Sequence, residues 1–210
     1  MSLRGFFTAV YFYDADMSIT HLLYLHGFRS SPQSTKAKKM AAIVAYRCPR
    51  VIWWCPQLPP SPKQAMRDIL QGIKDWPESM SVVGSSLGGF YATWVAEQKG
   101  CKAVLLNPAV APARDLKAYI GELSSWHDAS EKFFFDPSFI DDLHGLYAGR
   151  LKAPQNYLAI IAKGDEVLDW REMTRRYAGT HIRLLEGGDH ALSDFDEHLP
   201  AILDFLDLDA

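Results

Sequence analysis

Residues 80–93, Met-Ser-Val-Val-Gly-Ser-Ser-Leu-Gly-Gly-Phe-Tyr-Ala-Thr, constrain this chain more than any other stretch. The β-branched pair Val82-Val83 runs into a glycine-flanked corner. Phe90-Tyr91-Ala92-Thr93-Trp94-Val95-Ala96-Glu97 then leaves the corner with the period of a helix. A strand that turns so sharply into a helix has to strain one residue's backbone, and that residue's side chain stands above the sheet. Glycines are needed on either side, because a Cβ there would collide with the adjoining strand and helix. Gly84 and Gly88 bracket Ser86, whereas centring the motif on Ser85 would require glycine at Val83 and Leu87. Ser86 is therefore the candidate nucleophile. Two plainer explanations compete with it. G-x-S-x-G arises by chance in about one chain in twenty of this length, and a serine in such a turn can simply cap the next helix. The rest of the chain decides between them.

The chain has 210 residues. That is most simply a single domain, long enough to bury roughly 70% of its unfolded surface. Its net charge of −3 argues against nucleic acid or an anionic membrane as partner. No run approaches the ~18 apolar residues of a membrane span. Cys48, Cys55 and Cys101 are odd in number and lack C-x-x-C spacing. They are read as reduced core thiols of a cytoplasmic protein, neither a disulfide set nor a metal site. Residues 1–16 are read as an N-terminal extension ahead of a domain spanning 17–210, for which Met17 offers an alternative natural start. The stretch from Gly5 to Tyr13 is short for a secretory signal, and it ends in Asp14-Ala15-Asp16 with no cleavage pattern. Its aromatic and β-branched content suits an extra strand in a hairpin with the next one.

Ile19-Thr20-His21-Leu22-Leu23-Tyr24-Leu25 reads as a strand covered on both faces. A loop of turn formers follows, His26-Gly27-Phe28-Arg29-Ser30-Ser31-Pro32, and then a helix from Ser34 or Thr35 to about Cys48. Val51-Ile52-Trp53-Trp54 is the next strand, and a helix opens at Pro62, a residue well placed at a first helical position. Met80–Gly84 and Lys102–Asn107 are strands, with the helix 87–99 between them. Residues 109–153 break the alternation. Their seven aromatics lie among acids and two histidines, and they predict a helical, cap-like insertion after the strand ending at Asn107. Asn156–Ala162 and His181–Glu186 resume the strands, with a helix from about Trp170 to Tyr177 between them. Asp194–Leu208 is expected to close the chain as one amphipathic helix, with His198 on its surface. The alternation implies an α/β class, a mostly parallel central sheet with helices on both faces.

In such sheets ligands bind beyond the carboxyl ends of the strands. His26, Ser86, Asn107-Pro108, Gly164-Asp165 and His190 all fall there, so five separate loops bring polar residues to one edge. A serine hydroxyl needs a base to accept its proton, and the base needs a carboxylate to fix its tautomer. In the α/β-hydrolase order the acid follows the nucleophile and the histidine comes last. Asp165, directly after a strand, and His190, in the loop after the final strand, match. Asp169 is the rival acid, although a helix N-cap is its ordinary explanation, and Glu166 should point away. The oxyanion of a tetrahedral intermediate needs two donors: the amide of Leu87, and an amide of the His26-Gly27-Phe28 loop. Phe28 is chosen, with Gly27 allowing close approach and His26 bracing the loop. No phosphate loop, dinucleotide fingerprint or metal-binding cluster is present in the sequence, so no cofactor is expected.

These motifs together resemble the bacterial YqiA/YcfP esterase family of α/β-hydrolases. The resemblance rests on Leu22-Leu23-Tyr24-Leu25-His26-Gly27-Phe28, Ser30-Ser31-Pro32, Ser34-Thr35-Lys36-Ala37 and Pro56-Gln57-Leu58-Pro59. It continues through Val83–Thr93, Asn107-Pro108-Ala109-Val110, Gly164-Asp165-Glu166-Val167-Leu168-Asp169 and Glu186-Gly187-Gly188-Asp189-His190, covering about 18–206. It implies the α/β-hydrolase fold and a small esterase using Ser86, Asp165 and His190. Residues 1–16 depart from the family pattern, and 109–153 is where relatives differ most. The expected function is hydrolysis of carboxylic ester or thioester bonds in a small-molecule substrate. A peptidase or carbon–carbon hydrolase could use the same triad, and a silent binding module could use the same scaffold.

Overall fold

Leu22-Leu23-Tyr24-Leu25 has no polar alternation, and all four side chains are buried, as a strand covered on both faces requires. The structure is a computed structural model that describes residues 19–125, 130 and 132–208. The first half of the chain forms β1 (His21–Leu25), α1 (Thr35–Arg47), β2 (Ile52–Trp54), α2 (Pro62–Gly72), β3 (Met80–Ser85), α3 (Leu87–Lys99) and β4 (Lys102–Leu106). An insertion then carries α4 (Pro112–Asp115), β5 (Gly121–Ser124), β6 (Lys132–Phe135) and α5 (Ser138–Gly145). The chain closes with β7 (Tyr157–Ala162), α6 (Trp170–Arg176), β8 (His181–Leu185) and α7 (Leu199–Phe205).

The main sheet has six strands in the order β2-β1-β3-β4-β7-β8, every neighbouring pair parallel. From β1 the chain moves outward to β2 and returns to the other side of β1 for β3. That reversal opens a crevice at the carboxyl ends of β1 and β3, where an open α/β sheet binds its ligand. Successive strand residues point to opposite faces. Leu23, Leu25, Val82, Ala103, Leu105, Ala159 and Ile161 face α2, α3, α6 and the insertion. Leu22, Tyr24, Val83, Val104, Leu106, Leu158 and Ile160 face α1 and α7. Among the described residues no helix is long and apolar enough to cross a membrane.

Three expectations are corrected. The insertion is not wholly helical: β5 and β6 pair as an antiparallel hairpin, with Gly121 opposite Phe135 and Ser124 opposite Lys132. Along β6, Lys132 and Phe134 are exposed, Phe133 is half-buried and Phe135 is buried. This is the period-2 burial of a strand built from strand-favouring aromatics. The last helix is split into a 3₁₀ turn, Phe195–Glu197, and α7. Pro200 stands in α7's first turn, where its ring and missing N–H prevent the helix from running through. His198, at that junction, is buried (3% exposed) rather than on the surface, with Nε2 3.3 Å from Asp194 Oδ2. The extra strand expected from residues 1–16 lies outside the described residues.

Candidate active site

Ser86 sits between β3 and α3 with φ +56° and ψ −122°, a conformation non-glycine residues rarely adopt. The corner is pinned to the end of β4: the Ser86 amide donates to the Leu106 carbonyl (3.0 Å), and the Ala109 amide donates to the Ser86 carbonyl (3.0 Å). The flanking glycines are steric necessities. A Cβ on Gly84 would overlap the Gly88 carbonyl, and one on Gly88 would overlap the Leu25 and His26 carbonyls. Ser86 makes no side-chain cap to α3, so the helix-cap explanation of this serine fails.

His190 lies in the loop after β8, its Nε2 3.0 Å from Ser86 Oγ and its Nδ1 2.8 Å from Asp165 Oδ2. Asp165 follows β7, and its side chain is fully buried while that of His190 is 20% exposed. The other oxygen of Asp165 accepts the amides of Val167 and Leu168, both at 2.8 Å, which fixes the carboxylate's orientation. The loops carrying acid and base touch. A Cβ on Gly164 would overlap the Gly188 carbonyl, and Gly188 takes a left-handed φ of +81° that favours glycine. Asp169 takes no part in this chain of contacts: it caps α6, accepting the Arg171 amide at 2.8 Å.

On the other side of Ser86 runs the loop after β1. Gly27 lies so close that a Cβ there would stand 3.2 Å from Ser86 Cβ. His26 is buried and ties two loops together: its Nε2 accepts the Leu58 amide (3.1 Å), so its Nδ1 carries the proton and donates to the Gly27 carbonyl (3.0 Å). Among the described residues, neither the Leu87 nor the Phe28 amide donates to a protein acceptor. Both residues line a cleft of about 280 Å³, together with Leu58, Tyr91, Lys132 and Phe133.

Three further residues reach this site in roles that the sequence did not assign to them. Glu166 does not point away. Its Oε2 accepts the His190 amide at 3.0 Å. Asn107, buried at the end of β4, donates to the Asp189 carbonyl (2.9 Å) and the His190 carbonyl (3.3 Å). Lys36 of α1 donates to the Ala191 carbonyl. Asn107 was expected at this edge of the sheet as a polar residue directly after a buried strand, but its hold on the His190 loop was not, and nothing in spacing marked Lys36. Among the described residues no group of three or more His, Cys, Asp or Glu side chains is placed to hold a metal ion.

The parallel sheet, the strained strand-to-helix corner and the acid and histidine on later loops define an α/β-hydrolase fold. Solved structures share it. A structure described for LipS and LipT, two metagenome-derived lipolytic enzymes, gives a TM-score of 0.70 at 20% identity, covering 90% of this chain and 95% of that one. Mouse alpha/beta hydrolase domain-containing protein 10 gives 0.67 at 17% identity, with 89% of each chain covered. A monoacylglycerol lipase of Paleococcus ferrophilus gives 0.66 at 17%, over 92% and 96%. Within that fold, the chain belongs to the uncharacterised protein family UPF0227, whose pattern it matches over residues 21–207. A UPF0227 protein of Shewanella oneidensis is 25% identical over 194 residues, covering 88% of this chain and 98% of that protein. The family resemblance read from the motifs is thereby shown.

Proposed function

We propose that the protein is a serine hydrolase that cleaves carboxylic ester or thioester bonds through an acyl-enzyme on Ser86. One observation carries this reading: an unbroken line of hydrogen bonds from buried Asp165 through His190 to a serine held in a strained corner. Asp165 keeps the proton of His190 on Nδ1, which leaves Nε2 free to accept. As Ser86 Oγ attacks the acyl carbon, its proton passes to Nε2. The amides of Phe28 and Leu87 stabilise the oxyanion, and the alcohol or thiol leaves with the proton from Nε2. Water then attacks the acyl-enzyme with His190 again as base, releasing the acid and restoring Ser86. The esterases and lipases among proteins of the same fold add support, but substrate class does not follow from fold. A cleft of about 280 Å³, walled by Phe28, Leu58, Tyr91 and Phe133, suits a short acyl group. Cys48, Cys55 and Cys101 form no disulfide, which suits a reducing compartment such as the cytoplasm.

The test is wild type against Ser86→Ala on p-nitrophenyl acyl esters and matching acyl-thioesters. Loss of the nucleophile should lower kcat by about 10⁶ with the protein still folded. Equal activity in both proteins would overturn the reading.

A further inference from the structure

Four polar backbone groups around His190 are held by side chains from three other parts of the fold. Asn107 takes the carbonyls of Asp189 and His190, Glu166 takes the His190 amide, and Lys36 takes the carbonyl of Ala191. Asn107 is itself strained, at φ +42°, and its Oδ1 accepts the Ala162 amide at 2.8 Å, so both ends of its side chain are committed. A non-glycine residue keeps such a backbone only where its surroundings over-determine it. Of the three clamping side chains, Lys36 is the one that holds its backbone partner with a positive charge. We propose that Lys36 is a positioning residue for catalysis: its ammonium, together with Asn107 and Glu166, locks the His190 loop at the distance from Ser86 that proton transfer needs, and loss of that charge loosens the loop. The inference rests on the hydrolase reading of Ser86 and His190.

The electrostatics agree with the geometry. Burial pushes the Lys36 ammonium down to about 8, against the opposing pull of the Asp189 and Asp165 carboxylates. Those two carboxylates, on the clamped loop and on the loop after β7, are the charged groups that bear on it, with the His190 imidazole bound to the same Asp165. Asp189 is held below the usual carboxylate range by the Ser193 hydroxyl and amide, so its charge is constant here. The clamp is therefore charged below that pH and neutral above it, and a neutral amine is a weaker donor to a carbonyl. Activity should fall as Lys36 loses its proton.

The experiment follows the rate of Ser86 labelling by a fluorophosphonate from pH 6 to 10, with kcat and KM on an ester that wild type turns over. Wild type should show an alkaline fall near pH 8. Lys36→Met should lose about ten- to a hundredfold in kcat at neutral pH, as a misplaced base does. Its KM should stay within about twofold, and the alkaline fall should vanish. Lys36→Arg, which keeps its charge, should recover most of kcat and move the fall beyond about pH 10. A wild-type rate flat from pH 7 to 10, or Lys36→Met with wild-type rate and profile, overturns the inference alone. Ser86 that never labels overturns the hydrolase reading and this inference with it. Should Lys36→Met fail to fold, the wild-type profile and Lys36→Arg decide between the same two outcomes.

Discussion

At the scale of single residues, the two oxygens of Asp165 have different tasks, and the difference makes a sharp prediction. One oxygen takes the amides of Val167 and Leu168, and the other faces His190 Nδ1. In Asp165→Asn the carbonyl oxygen must stay with the two amides, so the new NH₂ group turns toward Nδ1 and donates to it. That forces the proton of His190 onto Nε2, which can then no longer accept from Ser86. The expected loss is about 10⁴ in kcat with the fold intact, as for triads whose base is held in the wrong tautomer. Asp169→Asn should leave kcat within about twofold, because Asn caps a helix as well as Asp does. Steady-state kinetics on both variants, with circular dichroism as the folding control, decides it. An Asp169 variant that lost as much as the Asp165 variant would reassign the acid. The candidate nucleophile, acid and base that the structure brings together were legible in the sequence because a strained corner and two post-strand loops leave signatures of glycine and chain order. The contacts by which Asn107, Glu166 and Lys36 hold the His190 loop were not. Lys36 and Asn107 reach it from positions 154 and 83 residues earlier in the chain, and only tertiary geometry brings them there.

At the scale of elements, regular α/β alternation was readable wherever a helix and a strand differ in hydrophobic period. It failed where periodicity is masked. Phe133-Phe134-Phe135 shows no alternation of polarity although it alternates in burial, so the hairpin of β5 and β6 was invisible. The hairpin matters because it grips the loop after β1. The Phe28 ring meets Phe135 at 5.3 Å, Tyr119 at 5.7 Å and Phe133 at 6.3 Å, all edge-on, and Arg29 Nε donates to the Ser124 carbonyl at 2.7 Å. One amide expected to hold the oxyanion is thus backed by the wall of the cleft. Phe133→Ala should open that wall toward longer acyl chains. The ratio of kcat/KM for an octanoyl over a butanoyl ester is expected to rise about tenfold, the worth of one or two accommodated methylenes. A chain-length series on wild type and variant measures it. An unchanged ratio would mean that the acyl group lies elsewhere.

At the scale of the whole molecule, both faces of the sheet are closed by apolar layers, and ionisable groups sealed in them must stay neutral. Cys101, 4% exposed at the head of β4, has its thiol pushed from the ordinary 9.0 up to about 12 by burial. Burial also raises Cys55 to about 12, and raises Tyr24, Tyr91, Tyr157 and Tyr177 above their usual 10.0. For a group whose folded value is raised, the unfolded chain releases its proton first. The stabilisation is complete below the unfolded value and is lost as pH climbs toward the folded one. Stability should therefore decline from about pH 9, with Cys101 alone contributing about 1.4 kcal/mol per pH unit and the tyrosines adding to the slope above pH 10. Cys101→Ala isolates one part of this. At neutral pH it should be less stable by about 1 kcal/mol, the cost of a small cavity. Above pH 9 the variant has one proton fewer to lose, so the gap to wild type should close and then reverse before pH 11. Urea midpoints at pH 7, 9, 10 and 11 read this directly. A gap that stays constant through pH 11 would show that the thiol meets water in the folded state and that this end of β4 is not sealed.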